Sequence, residues 1–268
     1  MILVAGGDSF VYGTELADQL PGTHVPSKST FPALLANNYN LEYLCTAQTG
    51  NSNSAIARQV INACNQYLEQ KLFVHVTWTF SCRYEFYFNQ QVRTSNWYSL
   101  TPWDSHDTMD EILHIVKSDQ VIAKHHTDHF AKLNQTELGK FAKIFYKNIG
   151  DNELYETYSS VKEMLFLQQY LDSNQIPYMF TCADTNMFYN QSQQDLNVVN
   201  LNKQINFDKW FLFEPAHEPW NTTTPRGFYQ WAVENKYPIG TTHPLEQAHQ
   251  AAAELMKDKF NELVKKSL

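Results

Sequence analysis

Several features that mark particular protein classes are scarce in this sequence. Only four cysteines occur in 268 residues, and none belongs to a C-x-x-C pair; they are Cys45, Cys64, Cys82 and Cys182. Zinc knuckles and thiol redox motifs use such pairs, so neither is predicted. Dispersed cysteines in a chain of this length are typical of free thiols in a reducing compartment, and we therefore expect a cytoplasmic protein.

Long apolar runs and basic clusters are also missing. No segment approaches the roughly 18 consecutive apolar residues of a membrane-spanning helix, and the opening MILVAGG lacks the charged region of a signal peptide. The 28 acidic residues outnumber the 20 basic ones, and Lys265-Lys266 is the only adjacent basic pair. Because phosphate binding needs a concentrated positive face, nucleic acid is not predicted as a partner, and neither is a membrane.

Apolar residues are present in the pattern of alternating strands and helices. Short apolar or β-branched runs predict four strands, at residues 2–5, 40–45, 72–79 and 176–182. Helical spacing and capping residues predict helices at residues 29–38, 54–70, 153–172 and 244–266. This alternation is typical of a parallel α/β sheet. We predict one domain over residues 1–268, with three α/β/α layers around a central parallel sheet.

Two segments interrupt this alternation. Residues 84–152 are first aromatic and turn-rich and then helical in pattern, which predicts a helical mid-chain insertion on the sheet. Residues 184–238 have no clear period and are interpreted as irregular. The tryptophans of these segments are typical of small satellite cores, although they could also stack on sugar rings; they include Trp97, Trp103, Trp210 and Trp220.

The polar residues that could carry chemistry follow the predicted strands. Ser9 follows the first strand in GGDSF, Gly50 and Asn51 follow the second, and Thr79 closes the third. His243 directly precedes the last helix in GTTHPLEQAHQ. Ligands of parallel α/β sheets bind beyond the carboxyl ends of the strands. We therefore expect these residues to form one site.

Three of the motifs resemble blocks of the SGNH (GDSL-type) hydrolases. GGDSF is similar to the family's Gly-Asp-Ser block, AQTGNSN to its glycine block, and THPLEQAHQAAAEL to the block of its catalytic histidine. The resemblance implies a flavodoxin-like fold in which Ser9 is the nucleophile and His243 the base. It also implies an oxyanion hole from the N–H groups of Ser9 and Gly50, and hydrolysis of acyl esters of carbohydrates or lipids without any cofactor.

The chain departs from this family at the third oxyanion donor. The family places an asparagine after the third strand, but VTWTFSCR has none, and Thr79 lies nearest to that place. A threonine hydroxyl can donate, with shorter reach. Asn51 or Asn53 could substitute from the neighbouring loop.

The chain also departs from the family at the acid that orients the histidine. The family places an aspartate three residues before the histidine, where this sequence has Gly240. Two arrangements stay open. Either the site is a Ser–His dyad held by a backbone carbonyl, or an acid comes from elsewhere, for which Asp184 and Glu218 are candidates.

Arg83 is a candidate for substrate binding together with Asn51. It lies just past the third strand, where a guanidinium could clamp a carboxylate or phosphate of a substrate. The alternative is a salt bridge with Glu85 or another acid, and that alternative is favoured.

Simpler interpretations apply to the other motifs. Ser9 could cap the following helix, His243 could be a capping or buried histidine, and Gly50 could serve only a turn. HHTDHF has histidines at i and i+4, which is a zinc spacing, but it lacks a clear third ligand. A solvated helix face is therefore favoured for that motif, and no metal is predicted.

The sequence as a whole predicts an esterase acting through a Ser9 acyl-enzyme. Its substrate would be an O-acyl or O-acetyl group on a carbohydrate or another small polar molecule. The alternative is a catalytically weak or inactive binding protein on the same fold, because the asparagine and the aspartate are missing and a fold does not determine function. Acyl transfer would use the same residues and stays open, as does the oligomeric state.

Overall fold

The computed structural model describes residues 1–19, 24–92, 95–105, 136–215 and 224–265. Within these ranges the strands are β1 (Ile2–Gly6), β2 (Glu42–Cys45), β3 (Leu72–Trp78), β4 (Tyr84–Val92), β5 (Ser95–Leu100) and β6 (Tyr178–Cys182). The α-helices are α1 (Ser9–Tyr12), α2 (Phe31–Asn38), α3 (Asn53–Gln66), α4 (Glu137–Phe145), α5 (Glu153–Ser173), α6 (Leu196–Asn202), α7 (Phe228–Glu234) and α8 (Glu246–Lys265).

Four of the strands form a parallel sheet in the order β2-β1-β3-β6. Ile2 pairs with Glu42 on one side and with Leu72 on the other. Every residue of β1, β3 and β6 is buried, which is why each strand has a continuous apolar sequence instead of an alternating one. The four predicted strands are confirmed to within two residues at each end.

Helices cover both faces of this sheet. Successive side chains of a strand point to opposite faces, so Ile2 and Val4 pack with α3 and α5 in one core. Leu3 and Ala5 pack with α2, α7 and α8 in the other core. The predicted three-layer α/β/α architecture is confirmed.

The mid-chain insertion combines a β-hairpin with a helix. Strands β4 and β5 are antiparallel, with Tyr84 opposite Leu100 and Phe86 opposite Tyr98. The hairpin was not predicted, although Tyr84, Phe86 and Phe88 recur at the two-residue period of a strand. The helix predicted within TELGKFAKIFYKNI is α4. The remaining helical pattern, which includes the HHTDHF motif, lies outside the described residues.

The segment predicted as irregular contains α6 and α7. Trp210 of this segment pairs with Phe180 of β6 and is 5% exposed in the main core, so it does not form a satellite core as predicted. Trp220 lies outside the described residues. This segment therefore extends the sheet layer beside β6.

Three findings bear on the excluded protein classes. All four cysteines are free. Over the described ranges, no helix has both the length and the apolar character needed to cross a membrane. The same ranges contain no cluster of three or more His, Cys, Asp or Glu side chains able to hold a metal ion.

Candidate active site

Ser9 occupies the corner between β1 and α1. It is the first residue of α1, and the Asp8 carboxylate caps this helix by accepting a 3.0 Å hydrogen bond from the Phe10 N–H. Ser9 is 4% exposed. Among the hydrogen bonds of the described residues, none involves the Ser9 hydroxyl or its N–H. Both groups of Ser9 are therefore available to a ligand, and the capping role considered for Ser9 belongs to Asp8.

Asp8 anchors this corner to the end of β3. Its Oδ2 accepts hydrogen bonds from Thr79 Oγ1 at 2.6 Å and from Arg83 Nη1 at 2.9 Å. Asp8 is fully buried, and 13% of the Arg83 side chain is exposed. A buried carboxylate is stable only when it is paired and hydrogen-bonded. Asp8, the acid of the GGDSF motif, therefore stabilises the structure by joining the Ser9 corner to Thr79 and Arg83, a role that the sequence did not reveal.

The hydrogen bonds of Thr79 argue against its predicted role in the oxyanion hole. The one hydroxyl hydrogen of Thr79 is donated to Asp8, and its oxygen accepts from Arg83 Nη1 at 2.9 Å. The Thr79 N–H donates to Asn53 Oδ1 at 2.9 Å. Both donors of Thr79 are used by the scaffold, so neither can reach a substrate.

The asparagines considered as substitutes are used in the same way. Asn51 Nδ2 donates to the Gly7 carbonyl at 2.9 Å and to Gln59 Oε1 at 2.8 Å. Asn53 Nδ2 donates to the Thr79 carbonyl and to Ser160 Oγ. An amide nitrogen carries two hydrogens. Both Nδ2 hydrogens of Asn51 are therefore used within the protein, which argues against the predicted substrate contact.

Gly50 remains compatible with an oxyanion role. Its φ of +82° lies in the left-handed region, which glycine adopts without strain. The space where a side chain would begin is open, with no atom within 4 Å. Its N–H donates to no acceptor in the described parts of the chain. Gly50 thus offers a free backbone donor on the loop after β2.

Arg83 forms the kind of ion pair that was favoured, but its partner is Asp8 instead of Glu85. Glu85 pairs with Arg58 through two hydrogen bonds of 2.6 and 2.9 Å. The Arg83 guanidinium also lies over the Phe80 ring, 5.1 Å from its centre. Its hydrogen bonds to described residues all come from Nη1. Nε and Nη2 are still able to contact an anionic group.

His243 comes to the Ser9 corner from the opposite end of the sequence. It lies in the loop before α8, and its ring packs edge-on against the Phe10 ring at a centroid distance of 5.2 Å. Its Nδ1 lies 3.1 Å from Glu15 Oε1 and 2.9 Å from Thr242 Oγ1. No hydrogen bond joins His243 to Ser9 in this structure, and such bonds often form only when substrate is bound.

Glu15 contacts His243 and is a residue of this site that the sequence interpretation missed. Its Oε2 accepts hydrogen bonds from the Thr241 N–H at 2.6 Å and from the Thr242 N–H at 3.3 Å. Burial acts to raise the pKa of Glu15, but the contact with His243 and these two backbone bonds outweigh it and hold the pKa below its ordinary value. The carboxylate is therefore ionised at neutral pH.

Of the two acids suggested by sequence, Asp184 does not take this place. Asp184 accepts hydrogen bonds from Asn186 and is bonded to no part of His243. Burial raises the pKa of Asp184. Glu218 lies outside the described residues. Gly240 was the one available signal, since a residue without a side chain leaves room for a carboxylate from another segment.

A cavity of about 350 Å³ lies beyond the ends of β3 and β6. Acidic, amide and aromatic side chains line it, among them Phe80, Glu156, Asp184, Asn186 and Tyr189. Neither Ser9 nor His243 lines this cavity, and the link to the Ser9 corner is the Phe80 ring, which lies 6.3 Å from the Phe10 ring. Burial raises the pKa of both Glu156 and Asp184. This lining suits a ligand that offers hydroxyl groups.

Comparison of the sequence with known proteins did not identify a family. Neither the protein-family models nor the curated proteins gave a match to the sequence.

Proposed function

We propose that this protein is a serine hydrolase of the SGNH type that cleaves an ester through a Ser9 acyl-enzyme. The observation that carries the proposal is the environment of His243. Its ring packs against the residue that follows Ser9, and a carboxylate lies 3.1 Å behind its Nδ1. A serine becomes nucleophilic when a histidine oriented by a third group can take its proton.

In the proposed reaction, Ser9 Oγ attacks the ester carbonyl and passes its proton to His243 Nε2. The N–H groups of Ser9 and Gly50 stabilise the oxyanion that forms. The imidazolium then gives the proton to the leaving alcohol, and the C–O bond to that alcohol breaks. Water, deprotonated by His243, attacks the acyl-enzyme in the same way and releases the acid and free Ser9.

The proposed substrate is an O-acyl or O-acetyl group on a carbohydrate or another small polar molecule. The cavity that Phe80 lines supports this choice, because carboxylates and amides hydrogen-bond hydroxyl groups while aromatic rings pack on sugar faces.

One observation favours the second candidate, a weak or inactive binding protein. The side chains of Thr79, Asn51 and Asn53 are committed to the scaffold, so only backbone donors remain for the oxyanion. Losing one oxyanion donor costs about 3 kcal/mol in the transition state. A slow hydrolase and a binding protein therefore differ in whether Ser9 is activated at all.

Labelling with a fluorophosphonate probe distinguishes these two functions. We expect a covalent adduct on Ser9, located by mass spectrometry, and a decrease in labelling rate of at least about 10³-fold in Ser9→Ala and His243→Ala. Ser173→Ala and His24→Ala are matched controls on the surface and are expected to label like the wild type. Folded wild-type protein without any adduct would contradict hydrolysis and support the binding protein.

A further inference from the structure

We propose that Glu15 completes a Ser9–His243–Glu15 triad, so that the acid reaches the histidine from the loop after α1 and not from position 240. The inference rests on the proposed function and names a positioning residue for it. Glu15 and His243 are 228 residues apart in sequence, and their side chains meet at 3.1 Å.

The contacts of Nδ1 fix which imidazole nitrogen carries the proton. An ionised carboxylate can only accept hydrogen bonds. Its approach to 3.1 Å is favourable only if Nδ1 carries a hydrogen, because two lone pairs would repel each other. Thr242 Oγ1 then accepts from Nδ1 at 2.9 Å and donates to Glu15 Oε1 at 3.4 Å. The lone pair is left on Nε2, the nitrogen that must receive the Ser9 proton.

A side chain at position 240 and the Glu15 carboxylate could not occupy the same space. A Cβ atom at Gly240 would lie 2.2 Å from Glu15 Oε2, far inside van der Waals contact. The chain can therefore hold the Glu15 carboxylate only if position 240 has no side chain. Gly240, where the SGNH family has an aspartate, thus leaves open the space that the Glu15 carboxylate occupies.

Glu15 is held in this position by more than the histidine. Its Oε2 accepts from the Thr241 and Thr242 N–H groups. Its own φ of +72° is a left-handed conformation that a glutamate adopts at a cost in strain. The Glu15 carboxylate therefore contacts both the backbone N–H groups of Thr241 and Thr242 and the ring of His243.

The start of α8 supplies a matched control for the loss of a negative charge near the same loop. The Ala17 N–H donates to Glu246 Oε1 at 2.6 Å, which ties the loop after α1 to the start of α8 without contacting His243. Glu246→Gln retains an acceptor for that bond. The variant removes one negative charge from this region, so a loss of labelling caused only by a change in local charge would appear in this variant as well.

The test compares the rate of Ser9 labelling by the fluorophosphonate in Glu15→Gln, Glu15→Asp, Glu246→Gln and the double variant Glu15→Ala/Gly240→Asp. We expect Glu15→Gln to lower the rate by about 10²–10⁴-fold. Glu246→Gln should stay within about threefold of the wild type. The double variant moves the acid to position 240 and should recover at least about tenfold of the loss. Unchanged labelling in folded Glu15→Gln, or an equal loss in Glu246→Gln, would overturn the inference.

A second readout separates this inference from the proposed function. The proton on His243 Nδ1 should give a downfield NMR resonance that is present in the wild type and in Glu246→Gln and is lost in Glu15→Gln. If Ser9 is not labelled in the wild type, the hydrolase proposal fails, and this resonance alone decides whether Glu15 orients the ring. A resonance that persists in Glu15→Gln overturns the inference even if labelling succeeds.

Discussion

Asp8→Ala is expected to lower the free energy of unfolding by about 3–5 kcal/mol, because it leaves Arg83 largely buried without its counter-charge. Asp8 is fully buried and accepts three hydrogen bonds, from Phe10, Thr79 and Arg83. Removing it leaves those donors without an acceptor in a place with little access to water. Urea unfolding at pH 7 measures the loss directly.

The origin of this loss can be tested with a second substitution. Arg83→Met removes the unpaired charge, so the double variant Asp8→Ala/Arg83→Met should be more stable than Asp8→Ala alone. Lys140→Ala serves as the control, because it breaks an ion pair whose side chains are 60% and 89% exposed and should cost less than about 0.5 kcal/mol. A loss below about 1 kcal/mol in Asp8→Ala would show that the corner does not depend on this pair.

The second large effect is a loss of stability in acid, caused by two buried histidines. His75 is fully buried, and neither of its ring nitrogens has a hydrogen-bond partner among the described residues. His249 is 1% exposed, and its Nδ1 accepts the Phe31 N–H at 3.2 Å. Burial lowers the pKa of each imidazole to about 3.

The direction of the pH effect follows from these pKa values. Both lie below the ordinary value of 6.5, so the unfolded chain binds more protons than the folded chain between about pH 3 and pH 6.5. Stability is therefore fully present above pH 6.5 and is lost as the pH falls. The slope approaches about 1.4 kcal/mol per pH unit for each histidine, or roughly 2.7 for both.

His75→Met isolates one of the two contributions. Because His75 makes no hydrogen bond, an apolar side chain of similar size loses none, and the slope between pH 5 and pH 6.5 should fall by about half. Glu15 and Asp18, whose pKa values are also lowered, lose their stabilising effect only at lower pH. His24→Met makes the same substitution at an exposed histidine and serves as the control for the measurement. An unchanged slope in His75→Met would contradict the assignment.

The sheet could be predicted from sequence because its strands are buried on both faces. Ile2–Gly6 and Leu72–Trp78 contain almost no polar residue that needs solvent, so burial alone marks them as strands. The edge strand Glu42–Cys45 is only partly buried, and its predicted start was two residues early. The hairpin escaped prediction because its two-residue period was hidden in a segment also rich in turn-forming residues.

The site could be predicted in part, and the limit has a physical cause. Ser9 and His243 lie in short motifs whose spacing to a strand or helix is local. Glu15 lies in a loop without periodicity, and its contact with His243 depends on how two distant loops fold together. The partner of Arg83 could not be predicted for the same reason, because Asp8 is 75 residues away in sequence. Local patterns predict elements, whereas pairings across the molecule follow from packing.

The joining of the Glu15 loop to the His243 loop also sets when the site can exist during synthesis. Ser9 and Glu15 are synthesised before the other residues of the proposed triad, because Thr241, Thr242 and His243 follow Glu15 by 226 residues or more. Strand β1 lies between β2 and β3, so the sheet can begin to assemble long before then. A nascent chain in which residues 241–243 are still inside the ribosome would therefore hold a sheet whose proposed triad is incomplete, and under the proposed function Ser9 would become reactive only when the His243 loop docks against Glu15.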